Sequence, residues 1–335
     1  MRRARLTAGT CLGLCALATA TALAIGTIKE LSLDDGRDDV NRLAAPAVDG
    51  ARTAVAIGTI TSTFDKGAKI VRRGATGFMT RGPEYNLDKS LDLGPLFASA
   101  LKQEATAMGF GASGTPAWQV DGTITDIYVE SKQIPYGATL FWGFMDVDFR
   151  VSHGSAAAQT VSMRLHNYNG GYNAGMGRKD EAMVALAHLL VEGAQEALAR
   201  LNRLHFKAPP HPGIDAALEQ VKAGGEQRPA ALHRVALSGS PAAAGILLAL
   251  VPKEPDENRR SSLIEALARL GATEAVPVLA QRYATEDEDC RWVTLKAMDY
   301  IGGAEAGTLV TNAGLADKDG GPRRLAEKIT GTKGK

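Results

Sequence analysis

The sequence predicts two parts in tandem: an α+β sandwich ordered strand, helix, three strands, helix, and then an all-α solenoid of short helical hairpins. Three observations carry this. Period-two apolar runs and helical stripes alternate between residues 53 and 207, prolines break the pattern at 208–213, and the last third repeats itself at a fixed interval. The chain has 335 residues, room for two cores, and 45% hydrophobic residues, as folded proteins have. A formal net charge of +1 supplies no overall field toward nucleic acid or an acidic partner.

Arg2, Arg3 and Arg5 precede a stretch, Leu6 to Ile28, without one charged residue. Ala22-Leu23-Ala24 has the small-x-small spacing that a signal peptidase accepts, so residues 1–24 read as a signal peptide with a mature start near Ile25. The run exceeds an ordinary signal core, and a retained membrane anchor is the other reading. Both place the protein outside the cytoplasm, in the periplasm or associated with the envelope. Cys11 and Cys15 sit inside the leader, but Leu12-Gly13-Leu14 puts a bulky leucine where lipid modification of Cys15 wants a small residue. Cleavage would leave Cys290 alone, with no disulfide to form. Residues 25–52, rich in Asp and Ala, read as a flexible tether.

The first domain, 53–207, opens with the β-branched run Ala54–Thr61, a central strand. A long Gly-rich loop is expected next, through Gly67, Gly74, Gly77 and Gly82. Asp92 and Pro95 are helix start signals, Phe97, Leu101, Ala105 and Met108 space a buried stripe, and Gly109 ends it. Trp118, Val120 and Ile124 mark a second strand whose phase shifts by Ile127 and Val129, which predicts a bulge. Met145 to Val151 and Val161 to Leu165 alternate as the third and fourth strands. From Met183 to Leu204 apolar residues recur at helical spacing, predicting a long amphipathic helix capped near Asp180. Ala208-Pro209-Pro210-His211-Pro212-Gly213 then begins a linker, 208–229, containing one short helix from Ile214.

Residues 230–331 are repetitive. A shift of 31 aligns Arg260 with Arg291, Ala266 with Ala297, Leu270 with Ile301, Gly271 with Gly302 and Glu274 with Glu305. A fainter copy lies 32 positions earlier, through Leu232, Val235, Gly239, Ala243 and Leu247. Each unit is a helix, a glycine turn and a second helix; such a hairpin cannot cover its own apolar face, so neighbours stack. The stretch Leu267-Ala268-Arg269-Leu270-Gly271-Ala272-Thr273-Glu274-Ala275-Val276-Pro277-Val278-Leu279 resembles a short HEAT repeat of the phycobilin-lyase-like subtype, in three copies with a degenerate first one. The first domain, through Val55–Thr61, the helix near Phe97 and Gln119–Thr125, resembles YajG-type and related transport-auxiliary envelope lipoproteins. Those resemblances imply an interaction scaffold and an envelope protein without an assigned enzymatic site.

No catalytic, cofactor or metal constellation is expected. His153, His166, His188, His205, His211 and His233 form no H-E-x-x-H pair, and no phosphate-binding glycine motif occurs. Ser99-Ala100-Leu101-Lys102 has S-x-x-K spacing without companion motifs. Two groups are candidate contacts. Lys66, Lys69, Arg72, Arg73 and Arg81 gather in the Gly-rich loop, suited to an anionic lipid surface. Tyr136, Phe141 and Trp142, with Phe144, form the densest aromatic group, either a strand buried on both faces or an apolar patch for a partner. The expected function is a non-enzymatic envelope scaffold binding another protein through its repeats. The alternative is a lipid- or polymer-associated transport accessory acting through the first domain.

Overall fold

The computed structural model describes residues 26–34, 52–65, 67, 69–73, 84–111, 118–133, 139–172, 179–211 and 213–332. A mixed α/β layer comes first and a helical part follows. The strands are β1 (Gly26–Ile28), β2 (Val55–Ser62), β3 (Lys69–Arg73), β4 (Tyr85–Leu87), β5 (Trp118–Gln133), β6 (Thr139–His153) and β7 (Gln159–Tyr172). They form one sheet in the order β1-β4-β3-β5-β6-β7, with β2 also paired to β5.

Four of these strands correspond to the sequence reading, and three do not. The Gly-rich loop contains β3 and β4, and the tether begins as β1, with Ile28, Leu31 and Leu33 buried. The sheet is therefore mixed: β1 with β4, β2 with β5 and β3 with β5 run parallel. One edge of β5 is shared, its first half by β2 and its second by β3, while β6 pairs along its whole length. The expected bulge lies between Ile124 and Asp126.

Helix α1 (Leu93–Ala107) starts where Asp92 Oδ1 accepts from Gly94 N at 3.1 Å, and Ser62 Oγ donates to the same oxygen at 2.9 Å. A Cβ on Gly94 would lie 2.5 Å from the Ile60 carbonyl oxygen, so only glycine lets α1 seat this closely on β2. Helix α2 (Lys179–Leu201) is not amphipathic in the expected sense. It is buried nearly all round, because one side packs on the sheet and α1 and the other meets the helical part. Its apolar stripe ends at Leu201, where a π turn over Asn202–Phe206 changes the pitch and leaves Leu204 47% exposed.

The helical part comprises α3 (Ile214–Ala223), α4 (Arg228–Leu237), α5 (Pro241–Leu250), α6 (Glu257–Leu270), α7 (Val276–Tyr283), α8 (Glu288–Ile301), α9 (Ala304–Leu309) and α10 (Gly320–Thr330). The short helix expected within a linker, α3, instead belongs to this core through Ile214, Ala217, Leu218 and Val221. Helices α4/α5, α6/α7 and α8/α9 are hairpins. Gly239, Gly271 and Gly302, the residues aligned by the 32- and 31-residue shifts, stand at their turns with φ of 71°, 67° and 72°. The two parts are also tied at their start. The Arg52 guanidinium donates to the carbonyls of Met108 (3.0 Å), Pro209 (2.8 Å) and Ser238 (3.0 Å).

The helical part wraps the β7 edge. Helices α4 and α6 contact α2, α8 meets the edge itself, and the end of α10 reaches the opposite sheet face. There Phe144, stacked on Tyr128, is buried beneath the Lys328 ammonium of α10, 5.8 Å from its ring centroid. Strand β6 is thus apolar on both faces at this point, Met145 and Val147 facing α2's side and Phe144 the other.

Candidate functional site

The polar residues of α2 do not face water. Glu192 and Glu196 lie one turn apart and meet side chains from α6 and α8. Arg269 of α6 donates from Nε to Glu196 Oε1 (3.3 Å) and from Nη1 to His233 Nδ1 (3.2 Å), with Glu192 4.0 Å from Nη2. Lys296 of α8, only 2% exposed, bonds Glu265 Oε1 at 3.0 Å and lies 3.7 Å from Glu196 Oε1. The Tyr300 hydroxyl donates to Glu196 Oε2 and accepts the His166 backbone N–H at 2.6 Å.

That last bond matters for the sheet. Strand β7 is an edge strand of the sheet, with β1 at the other end of the strand order, and its outward backbone groups need partners. Tyr300 takes the His166 N–H, and Arg200 donates to the Arg164 carbonyl at 3.0 Å. Arg164 itself bonds both Asp146 oxygens (2.7 and 2.9 Å) and the Lys328 carbonyl (2.7 Å), while His166 Nε2 meets Asp299 Oδ2 at 2.8 Å. The junction is a continuous polar seam between sheet and helices.

Its electrostatics follow from burial. Three carboxylates (Glu192, Glu196, Glu265) surround two cations (Arg269, Lys296). Burial pushes Glu192 up to about 7, with Arg269 and Lys296 pulling it down and Glu196 and Glu265 adding to the rise. Burial works against the charges of Arg269 and Lys296, yet the carboxylates outweigh it and hold both above their ordinary values. Burial, then the Arg269 charge, lowers His233 from 6.5 to about 3. Between those values the unfolded chain holds a proton that the folded chain refuses, so stability falls as pH drops through that window, by at most about 1.4 kcal/mol per pH unit. His233→Gln keeps an acceptor for Arg269 without titrating, and its unfolding free energy should depend less on pH between 6 and 4. An unchanged slope in denaturant titrations at those pH values would remove His233 from this role.

A second polar array runs through the hairpins. Arg228 bonds Glu254 (2.5 Å), Arg260 bonds Glu286 (2.9 Å) and Arg291 bonds Asp317 (2.9 Å), each partner 26 residues downstream. Each arginine stands at or near the start of its hairpin's first helix and reaches the segment after the second. Asp287 caps α8 through Cys290 N at 2.8 Å. Glu286, Asp287 and Cys290 offer ligand atoms within 4.8 Å of one another, the spacing of a metal site. Their environment is wrong for one: Arg260 and Arg282 already occupy Glu286, and burial pushes the Cys290 thiol up to about 12, far from a thiolate. A cleft of about 460 Å³ opens between the proline segment and the Gly239 and Gly271 turns, bordered by Arg203 and Lys207.

The residues singled out in the sequence are placed differently from expectation. Lys69, Arg72 and Arg73 lie on β3, not in a loop, and Lys69 pairs with Glu84 at 2.9 Å. Phe141 and Trp142 lie on β6. Arg72 and Trp142 share a register row, since both pair with Glu130, and Trp142 pairs onward with Tyr168. Lys66, Arg81 and Tyr136 lie outside the described residues. Ser99 Oγ accepts from Gln103 Nε2 at 3.2 Å and is no partner of Lys102 in any bond described. The junction seam and the 26-residue ion pairs were missed. The second was readable, because an arginine followed 26 positions later by an acid recurs with the apolar repeat.

No known family's sequence model matches the chain, and no curated protein matches it. Among solved structures, a Xanthomonas campestris protein of the family DUF330 is similar to part of it: 8% identity, a TM-score of 0.33, and coverage of 51% of this chain and 91% of that one.

Proposed function

We propose that this protein is a non-enzymatic scaffold of the cell envelope whose helical part is an array of short HEAT-type repeats that holds another protein. The observation that carries the repeat reading is the recurrence of one device in three hairpins: a left-handed glycine at the turn and an arginine bonded to an acid 26 residues on. The inner surface of such an array is engaged within the chain, since α4 and α6 contact α2 and α8 contacts β7. The outer helices α5, α7 and α9 are what is left for a partner. They are poor in charge: α5 has none, Arg282 of α7 is tied to Glu286, and α9 carries the exposed Glu305. Exposed on them are Ala242, Gly245, Ala249, Pro277, Ala304 and Gly307. A face mostly of small residues, with Gln281 and Glu305 the larger polar ones exposed on it, suits close apposition to a partner more than capture of a charged ligand.

The test is photocrosslinking in the native cell from single positions, Ala249 and Ala304 on the outer face and Lys222 on α3. One discrete protein adduct from the outer positions alone, abolished by Gly245→Arg, is the expected result. No adduct from either outer position would sink the scaffold reading. The alternative, a transport accessory contacting lipid or envelope polymer through the α/β layer, draws on the basic residues of β3 and on the likeness of residues 50–205 to envelope lipoproteins.

A further inference from the structure

We propose that the cleft between the C-terminal end of α2 and the α4/α5 and α6/α7 turns binds a small organic acid, whose carboxylate is received by Arg203, Asn202 and Lys207. Such a site needs no partner protein and is independent of the scaffold reading.

The cleft holds about 460 Å³, a volume typical of small-molecule sites and larger than an inorganic ion needs. Pro209, Pro210, Pro241, Ala244 and Leu270 give it aliphatic walls. Few polar groups interrupt those walls, and the ones contributed by α2 and its π turn have donors to spare.

The Arg203 guanidinium lies against the α6/α7 turn, where a Cβ on Gly271 would fall 1.1 Å from Nη1. Among the described residues it makes one hydrogen bond, from Nη2 to the Tyr300 carbonyl at 3.4 Å, and its buried Nη1 has no partner. The end of α6 does not consume it. Gly271 N and Ala272 N already close on the Ala268 and Leu267 carbonyls at 2.9 and 3.0 Å. Burial, then the Arg200 charge, holds Arg203 below its ordinary value, and no carboxylate offsets them. Arg260, Arg269 and Arg291 are the contrast, since neighbouring acids raise all three. A half-buried guanidinium without an acid is a costly arrangement that an anion in the cleft would relieve.

Two more donors stand beside it. Asn202 is 4% exposed; its Oδ1 accepts from Ala208 N at 2.9 Å, which leaves Nδ2 at the cleft beside Gly239, without a bond among the described residues. Lys207 has a φ of 53°, the one left-handed residue other than glycine among those described, and its N–H is fixed on the Asn202 carbonyl at 2.8 Å. Its ammonium donates to the Arg203 carbonyl and borders the cleft with no carboxylate bonded to it among the described residues.

The surrounding charges select a single negative charge. Arg269 borders the cleft but is engaged by Glu192 and Glu196, and Arg52 nearby is spent on the Pro209 and Ser238 carbonyls. Glu274 also borders the cleft and is exposed, as is Glu305, its counterpart one hairpin on. Arg203 and Lys207 against Glu274 leave one positive charge, which matches a carboxylate better than a doubly charged phosphate. The aliphatic walls then take the hydrocarbon part of the acid.

The test is a nuclear magnetic resonance titration of the full chain, read at the Gly239 and Gly271 amides. The probes are hexanoate, its uncharged analogue hexanamide, and inorganic phosphate. Hexanoate should give saturable shifts, with hexanamide and phosphate weaker by about tenfold or more, the scale of one charge-assisted hydrogen bond. Arg203→Met should weaken hexanoate by about tenfold on the same scale. Because that variant also loses the Tyr300 contact, Lys207→Asn, which tolerates left-handed backbone, is the second one and should weaken hexanoate about fivefold. Glu274→Gln should tighten it, a gain that misfolding cannot produce. Equal shifts from hexanoate and hexanamide, tighter binding of phosphate, or no saturable shift at either glycine overturns the proposal. So does unchanged hexanoate affinity in both Arg203→Met and Lys207→Asn.

Discussion

Arg269→Met should destabilise the protein by about 3–5 kcal/mol, the scale for removing one partner from a buried ion pair. Glu196 is 1% exposed and would lose the guanidinium 3.3 Å from its Oε1, while Glu192, already pushed up to about 7, would lose the largest charge favouring its ionised form. Lys296 cannot serve all three carboxylates, because its nearest is Glu265. The loss should appear as a lower denaturant midpoint. It should also speed hydrogen exchange at the His166 amide, whose acceptor Tyr300 is positioned by the same Glu196. A change below about 1 kcal/mol, the scale of an exposed pair, would mean that the seam is solvated.

Arg291→Met should cost a similar amount, about 3–5 kcal/mol at neutral pH. Arg291 and Asp317 are 6% and 2% exposed, and the arginine also bonds Asp319 and the Glu286 carbonyl, so one side chain closes the last hairpin. In the wild type, burial works to raise Asp317, but bonds from Arg291 and Tyr283 hold it below its ordinary 3.8. That contribution is present above the unfolded pKa and is lost as pH falls through the folded one. Without Arg291 the carboxyl should titrate above its unfolded value, so the variant regains stability as pH falls. The gap between wild type and variant should therefore narrow from pH 7 to pH 4 in parallel denaturant titrations. Arg228→Met, whose ion pair is more exposed at 14% and 8%, should cost less. A gap that widens with acid, or an equal loss at Arg228, would contradict this ranking.

The parts legible in the sequence were those where a side-chain pattern has one physical meaning. Gly239, Gly271 and Gly302 mark turns because each adopts positive φ, and the apolar spacing between them is helical. The bulge after Ile124 was legible because a one-residue slip reverses which face is buried. Strand β1 was hidden because Gly26-Thr27-Ile28 continues the uncharged leader, and three residues carry no periodicity of their own. Strands β3 and β4 were hidden by brevity and by the glycines around them. Helix α2 misled for a different reason. Glu192, Gln195, Glu196 and Arg200 do form a polar stripe, but a stripe says only that a face is polar, not whether its partner is water. Here the partner includes Arg269, Lys296, Tyr300 and a β7 carbonyl.

The clasp around β7 has a consequence for how the molecule can be divided. Strand β7 takes outward hydrogen-bond partners from Arg200 of α2 and Tyr300 of α8, and Phe144 takes its roof from α10. Cut at the prolines, the upstream fragment would keep the Arg200 bond to the Arg164 carbonyl but would leave the His166 N–H without Tyr300, the Phe144 ring without its roof, and Glu192 and Glu196 without Arg269 and Lys296. Such a border invites another strand to add to it. Exchange of either half for an unrelated module would break the Tyr300 bond to β7 and the Arg269 and Lys296 ion pairs, so the two halves are not interchangeable without a matching partner surface.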